Sequence, residues 1–177
     1  MADDIWIFGY GSLIWFPEIM AAERREEILH GWHREWTWIS KSRYGGPTCS
    51  LKKRGKVKGV FLRLKQVTQD DDLEKIRSRE LRRSEVVLEN VKGITGKVLL
   101  WKEDNNLVCF EDTRALKNLQ LYQALVRRAI NISKKGRDGK TPVEYAFAVH
   151  QFDPDDKKTS MYVKEIKKLQ RMKISNI

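Results

Sequence analysis

Residues 5–15 constrain the fold more than any other stretch of the chain. Residues 5–8 are apolar, two of them β-branched and two aromatic, which is typical of a short buried strand. Residues 9–12 (Gly-Tyr-Gly-Ser) follow directly, and the apolar character resumes at Leu13. The two glycines permit a positive φ, and the backbone N–H groups of such a turn can converge on an anion. A polar turn between two buried segments is therefore a candidate ligand site.

Gly9 and Gly11 leave other interpretations open. Their spacing resembles the start of a dinucleotide-binding fingerprint, but the third glycine is missing and no regular helix follows, so the match is poor. The remaining interpretation is a tight turn around a packed Tyr10. On the residues alone, this packed turn is favoured over a ligand site.

A second informative stretch is a helix that is predicted from about residue 70 to residue 81. The aspartates at 70–72 supply carboxylates that suit a helix N-terminus. Leu73, Ile76 and Glu80 fall at i, i+3 and i+7, which places them on one stripe of this helix. The stripe that should face the core therefore ends in a carboxylate.

Two explanations account for a carboxylate at position 80 on the apolar stripe. Arg77 and Arg83 each lie three residues away along the chain, and either could pair with this carboxylate. A salt bridge at the helix end is the interpretation that the pattern by itself favours. A catalytic carboxylate is the alternative.

Both stretches resemble the ChaC-like γ-glutamylcyclotransferases. Residues 8–15 (Phe-Gly-Tyr-Gly-Ser-Leu-Ile-Trp), followed by Pro17, resemble the opening of that family, whose Tyr-Gly-Ser-Leu loop holds the γ-glutamyl substrate largely through backbone amides. Arg79-Glu80 resembles the family's Arg-Glu dipeptide, whose glutamate is the catalytic acid and base. Residues 83–85 (Arg-Ser-Glu) depart from the Gly-Gly-Tyr that usually follows. The resemblance extends from residue 5 to about residue 145.

The resemblance implies an α+β fold in which a small mixed β-barrel is flanked by helices. It implies one γ-glutamylcyclotransferase-like domain over residues 1–177. A basic amphipathic helix is expected at about 153–175, with Tyr162, Ile166 and Leu169 facing inward.

The resemblance also implies an enzyme that cleaves a γ-glutamyl amide by intramolecular cyclisation, releasing 5-oxoproline and an amine, amino acid or peptide. Glu80 would move the protons, and Tyr10, Gly11, Ser12 and Leu13 would bind the substrate. An ammonium is a much weaker acid than glutamic acid, so Glu80 needs an environment that strengthens it as a base. Burial in the apolar stripe would do this, and inward-pointing arginines would oppose it.

Two further substrate-binding residues follow from looser matches. Arg43 lies in residues 42–48, a predicted loop in the place of the family's glycine- and proline-bearing loop near the substrate. This loop lacks the His-Arg-Gly form of the glutathione-acting members. The identity of the amine that the reaction releases therefore stays open. Tyr145 follows residues 136–139 (Gly-Arg-Asp-Gly), which resemble a family Gly-x-x-Gly loop and open a helix.

The bulk composition of the 177 residues predicts a folded cytoplasmic protein. The chain is 41% hydrophobic, and it contains no apolar run long enough to span a membrane. Cys49 and Cys109 have neither disulfide-framework nor metal spacing, which suits a reducing compartment. The net charge of +11 favours anionic partners. The oligomeric state stays open.

Metal and cofactor sites are not expected. His30 and His33 would point to opposite faces of a strand, and a third ligand is not evident. The sequence also offers no Ser-His-Asp arrangement. These observations favour a metal-free carboxylate mechanism without a cofactor.

Residues 29–39 alternate like a strand and keep a nucleic-acid hypothesis open. Trp32, Arg34, Trp36 and Trp38 would share one face. Such a face could stack bases, although a sheet face covered by a helix is the favoured interpretation. The alternative function is accordingly a non-catalytic member of the same fold that binds nucleic acid or another protein.

The remaining elements follow from local patterns. Residues 21–29 have the composition of a helix. Strands are predicted at 57–64, 85–91 and 96–101, and another helix at 117–133, with Leu121, Leu125 and Ala129 on one side.

Overall fold

The computed structural model describes residues 4–40, 43–80, 83–88, 90–103 and 118–174. In these ranges the strands are β1 (Ile5–Gly9), β2 (Glu23–Ser40), β3 (Gly46–Arg63), β4 (Arg83–Leu88) and β5 (Lys97–Glu103). The helices are α1 (Gln69–Arg79), α2 (Asn118–Ile130), α3 (Pro142–Phe152) and α4 (Lys157–Ile174), and short 3-10 helices span Ser12–Ile14 and Gln66–Thr68.

The central strand of the sheet is β1, in the order β2-β3-β1-β5-β4. It runs antiparallel to β3, with Phe8 opposite Phe61, and parallel to β5, with Trp6 opposite Val98. β4 and β5 form an antiparallel pair. The turn after β1 therefore emerges from the middle of the sheet, between two neighbouring strands.

The mixed α+β class predicted from the sequence is confirmed. The expected β-barrel is not confirmed, because the described strands form a five-stranded sheet with β2 and β4 at its two ends. The sheet is mixed, since β1 has one parallel and one antiparallel neighbour.

The helix expected from the composition of residues 21–29 is wrong, because most of this stretch belongs to β2. Its charged side chains pair across to β3: Glu23 lies 3.3 Å from Arg63, and Glu26 lies 3.6 Å from Lys58. Cross-strand pairs of this kind stabilise a sheet, and here they override the helix propensity of a Glu- and Arg-rich segment.

The chain divides into two compact units, Met1–His33 with Leu51–Leu107, and Arg34–Ser50 with Val108–Ile177. β2 and β3 each pass from one unit to the other. The first unit has an apolar core in which the rings of Phe8 and Phe61 lie 4.7 Å apart. A single domain over residues 1–177 stays a prediction.

In the second unit, helices α3 and α4 cover Trp36 of β2. The indole of Trp36 stacks on Tyr162 of α4 at 4.5 Å and meets Tyr145 of α3 edge-on at 5.7 Å. Its Nε1 donates a hydrogen bond of 2.9 Å to Thr159 Oγ1. This confirms, for Trp36, the interpretation of a sheet face covered by a helix.

Arg34, on the same face, is also buried. Its Nη1 lies 2.6 Å from Asp153 Oδ2 and 3.3 Å from Asp156 Oδ2. Trp32 is likewise buried, and the side chain of Trp38 lies outside the description. Because these side chains are enclosed, they do not form the exposed row that base stacking requires.

The C-terminal helix is confirmed as α4, with Tyr162 and Ile166 fully buried. It starts at Lys157, later than expected, and Asp153 is instead the C-cap of α3. The other predicted strands and the helix at 117–133 correspond to β3, β4, β5 and α2, in which Leu125 and Ala129 are buried. None of the helices in the described ranges has both the length and the apolar character needed to cross a membrane.

Candidate active site

The turn after β1 is closely packed. Gly9 ends the strand, and Ser12–Ile14 form a 3-10 helix. Tyr10 is buried, and its hydroxyl donates a hydrogen bond of 2.8 Å to the carbonyl oxygen of Trp101 in β5. The expectation of a packed tyrosine at this turn is therefore confirmed.

The expectation that Gly9 is needed for a positive φ is wrong. Gly9 does not have a positive φ; what excludes a side chain there is space. A Cβ on Gly9 would lie 2.7 Å from Leu13 Cβ and 3.0 Å from Val60 Cγ2. Gly11 has a φ of −130°, so it does not adopt the left-handed conformation either. The turn is tight because the chain folds back onto itself.

Glu80 caps the C-terminus of α1. Its N–H bonds to the carbonyl oxygen of Ile76, which is buried together with Leu73. The Glu80 side chain is itself only 11% exposed. The apolar stripe ending in a carboxylate is thus present in the structure.

Two arginines lie beside the Glu80 carboxylate. Arg83 Nη1 is 3.3 Å from Glu80 Oε2, and Arg79 Nε is 3.7 Å from Glu80 Oε1. Arg77, the other arginine considered from the sequence, instead pairs with Glu85 at 3.0 Å. The helix-end salt bridge is confirmed with Arg83.

Arg83 also contacts the turn. Its Nη1 donates a hydrogen bond of 2.7 Å to Tyr10 Oη, so the same nitrogen faces Tyr10 and Glu80. The side chain is only 16% exposed. Arg83 therefore connects the carboxylate with the tyrosine of the turn.

Arg79 makes a second connection, which the sequence analysis missed. Its Nη2 donates a hydrogen bond of 2.6 Å to Ser12 Oγ, while Nη1 donates to the carbonyl oxygen of Phe16 and lies 3.0 Å from Glu18 Oε2. The side chain is 9% exposed. In the sequence, Arg79 stood out only as the first residue of the Arg79-Glu80 dipeptide. No local pattern indicated that its partners lie more than 60 residues away.

These contacts bring Tyr10, Ser12 and Glu80 together in the first unit, with Gly11 and Leu13 in the same turn. A depression of about 450 Å³ lies at the segment that follows this turn, and none of these five residues lines it. It is lined by residues 15–20 and by Lys65, Thr68, Asp72 and Lys75. Phe16 and Glu18, which contact Arg79, form part of its wall.

Arg43 and Tyr145 lie in the second unit and contact each other. The Arg43 guanidinium is 3.8 Å from the centre of the Tyr145 ring and makes two hydrogen bonds to Asp138, of 2.9 and 2.8 Å. Burial raises the pKa of Tyr145 above its usual range, and Cys49 Sγ lies 3.0 Å from its hydroxyl. Contact of Arg43 and Tyr145 with substrate stays a prediction.

Cys49 is buried, and Cys109 falls outside the described residues. Within the described ranges, no group of three or more His, Cys, Asp or Glu side chains is arranged to hold a metal ion. The Nδ1 atom of His33 is 2.6 Å from the carbonyl oxygen of Arg54.

Known proteins similar to this chain share both its fold and part of its sequence. Two crystal structures of a γ-glutamyl cyclotransferase specific to glutathione from yeast superpose with TM-scores of 0.69 and 0.68. Each covers 94% of this chain and 96% or 99% of the yeast chain, at 16% and 15% identity. At these identities the likeness shows the fold alone.

A curated relative from Escherichia coli (strain K12), a glutathione-specific gamma-glutamylcyclotransferase, is 35% identical over 82 residues. The match covers 44% of this chain and 36% of the relative, so it spans about a third of that protein. The model of the ChaC-like protein family matches residues 5–168, which include the turn, α1 and Glu80. The resemblance seen in the sequence is confirmed, and the chain belongs to the ChaC-like protein family.

Proposed function

We propose that the protein is a γ-glutamylcyclotransferase that converts a γ-glutamyl compound to 5-oxoproline and a free amine. The supporting observation is the position of Glu80, whose carboxylate is joined through Arg83 to Tyr10 and through Arg79 to Ser12. A proton acceptor thus lies beside the turn that carries the family resemblance.

In this proposal the reaction begins at the α-ammonium of the γ-glutamyl group. Glu80 takes one of its protons, and the freed amine attacks the γ-carbonyl carbon of the same molecule. The bond between that carbon and the amide nitrogen breaks, and Glu80 returns the proton to the departing nitrogen. The new ring nitrogen loses a second proton, which balances conversion of the released amine to its ammonium form.

The residues suit a reaction of this kind because both reacting groups belong to one molecule. The enzyme needs mainly to hold a folded-back conformation, and intramolecular reactions in good alignment gain large effective molarities. Tyr10, Gly11, Ser12 and Leu13 are proposed to supply the backbone groups that fix the γ-glutamyl oxygens. Proton transfer and amide exchange require neither a redox step nor a group carrier, so we expect no cofactor.

Two cations lie beside the proposed base before substrate binds. Arg79 Nε is 3.7 Å and Arg83 Nη1 is 3.3 Å from the Glu80 carboxylate oxygens. When the substrate's ammonium approaches, it adds a third cation beside this carboxylate. Attraction between this ammonium and the carboxylate would hold the α-nitrogen within reach of Glu80.

Glutathione is the first substrate to test, because the relative and the yeast structures are named as glutathione-specific. The altered loop at residues 42–48 keeps other leaving groups in the proposal. We therefore include γ-glutamyl dipeptides and γ-glutamyl alkylamides in the same panel.

The experiment is to incubate the purified protein with each compound and to quantify 5-oxoproline by mass spectrometry. With glutathione we expect cysteinylglycine to appear in equal amount. The Glu80→Gln variant is the control for a contaminating activity. If no γ-glutamyl compound yields 5-oxoproline, the proposal is rejected in favour of a non-catalytic family member.

A further inference from the structure

Arg79 has a role in the site that neither the salt bridge nor the family resemblance assigns. One guanidinium contacts two separate parts of the first unit. Its Nη atoms bind the segment after β1, at Ser12 Oγ, the Phe16 carbonyl oxygen and Glu18. Its Nε lies 3.7 Å from Glu80 Oε1.

We infer that Arg79 is a positioning residue that holds the substrate-binding turn in register with the carboxylate of Glu80; this rests on the function proposed above. Glu80 follows α1, and the turn follows β1, while Arg83 connects Glu80 with Tyr10 at the start of the turn. Arg79 connects the two across 67 residues of sequence.

The chemistry of the side chain fits this role. A guanidinium is planar and presents its N–H donors in fixed directions, so it can hold several acceptors at set angles. A lysine would keep the charge but would offer one nitrogen on a flexible stem. Because Arg79 is 9% exposed, its contacts are protected from competing water.

The proposed reaction makes this alignment matter. Ring closure requires that Glu80 reach the α-nitrogen while the turn holds the γ-glutamyl group. A displacement of about 1 Å in such an arrangement can cost on the order of 10²-fold in rate. Loss of the Arg79 fork should therefore lower kcat even where the positive charge is kept.

A neighbouring arginine provides a matched control. Arg77 lies on the same helix, but its side chain is 48% exposed and it pairs with Glu85 instead of the turn. Arg77→Lys removes a guanidinium from α1 without touching the site. Arg79→Lys removes the one that connects Glu80 and Ser12.

The test measures kcat and KM for 5-oxoproline release by the wild-type protein, Arg79→Lys and Arg77→Lys. We expect kcat of Arg79→Lys to fall on the order of 10²-fold and that of Arg77→Lys to stay within about twofold. Binding of the unreacted substrate, measured by calorimetry in the Glu80→Gln background, should weaken when Arg79→Lys is added. Thermal unfolding of each variant separates this effect from loss of folding.

Ser12→Ala and Glu18→Gln remove partners of Arg79 from the other side and address the case in which Arg79→Lys does not fold. If Arg79 acts through the turn, Ser12→Ala should lower kcat less in the Arg79→Lys protein than in the wild type. A wild-type kcat in Arg79→Lys, or in both Ser12→Ala and Glu18→Gln, overturns the inference while the proposed function stands. If the wild-type protein itself makes no 5-oxoproline, the proposed function fails.

Discussion

At residue 80 a carboxylate ends an otherwise apolar stripe, and two arginines lie beside it. Arg83 and Arg79 lie 3.3 and 3.7 Å from its two oxygens. The ion pair and the proposed catalytic role do not exclude each other. A structural partner of Arg83 can also be the base if the substrate's ammonium reaches it.

Replacing Glu80 by glutamine separates these roles. Glu80→Gln keeps the shape but cannot accept a proton, so we expect kcat for 5-oxoproline release to fall by about 10²–10⁴-fold. We expect the variant to fold, because both arginines keep other partners, and urea unfolding checks this. Glu85→Gln, at the exposed pair with Arg77, is the control. Wild-type turnover in Glu80→Gln would leave the carboxylate a purely structural role.

The two glycines of the turn should respond differently to alanine. In Gly9→Ala the new Cβ would meet Leu13 Cβ at 2.7 Å, so we expect a loss of about 1–3 kcal/mol in unfolding free energy. In Gly11→Ala we expect a raised KM with little change in folding, because the Cβ would crowd the substrate. Urea unfolding and steady-state kinetics on both variants test this pair. Unaltered kinetics in Gly11→Ala would remove Gly11 from the site.

At the scale of single elements, α1 joins the two features recognised in the sequence. Its buried residues Leu73 and Ile76 fix the helix against the core of the first unit. Its last turn then presents Arg79 and Glu80 to the turn after β1. A short amphipathic helix therefore positions both the proposed base and the arginine that aligns it.

The helix α3 carries a tyrosine whose protonation depends on folding. Burial raises the pKa of Tyr145, so the folded state holds the neutral phenol more tightly than the unfolded chain does. The resulting stability is present below about pH 10, where unfolded tyrosine ionises, and is lost as the pH rises above it. Tyr145→Phe should therefore lose less unfolding free energy than the wild type between pH 9 and pH 11, as urea titrations at both pH values would show.

A second variant checks that result. Tyr162→Phe should behave like Tyr145→Phe, because burial raises the pKa of Tyr162 as well. An equal loss of stability in the wild type and Tyr145→Phe would contradict the prediction.

At the scale of the whole molecule, the net charge of +11 should assist the capture of an anionic substrate. Glutathione carries two carboxylates and one ammonium, whereas a γ-glutamyl alkylamide has no net charge. Raising the salt concentration from about 0.02 to 0.5 M shortens the range of electrostatic attraction severalfold. We expect kcat/KM for glutathione to fall over this range and kcat to stay nearly constant.

The alkylamide is the matched substrate for this comparison. Its kcat/KM should depend much less on salt, since it has no net charge for the protein's field to attract. The measurement is a series of initial rates at fixed pH for both substrates. The same salt dependence for both would show that the net charge has no part in substrate capture.

Local patterns in the sequence determined several secondary-structure elements and the family of this protein. The strand and turn at residues 5–15, the helix that ends at Glu80 and the buried alternation of Trp32, Arg34 and Trp36 follow from side-chain type at short spacings. They could be predicted because strand and helix periodicity is visible within a few residues. The motifs in the same stretches were sufficient to identify the ChaC-like family.

Only the tertiary structure decided which side chains meet. Residues 23–29 form a strand, in which Glu23 and Glu26 form salt bridges with Arg63 and Lys58 of β3. Arg79, which had no assigned role, connects Ser12 with Glu80, while Arg77 turns to Glu85. Gly9 is needed for space and not for a positive φ. The physical reason is the same in each case: contacts between residues far apart in sequence depend on how the elements pack, which local periodicity does not encode.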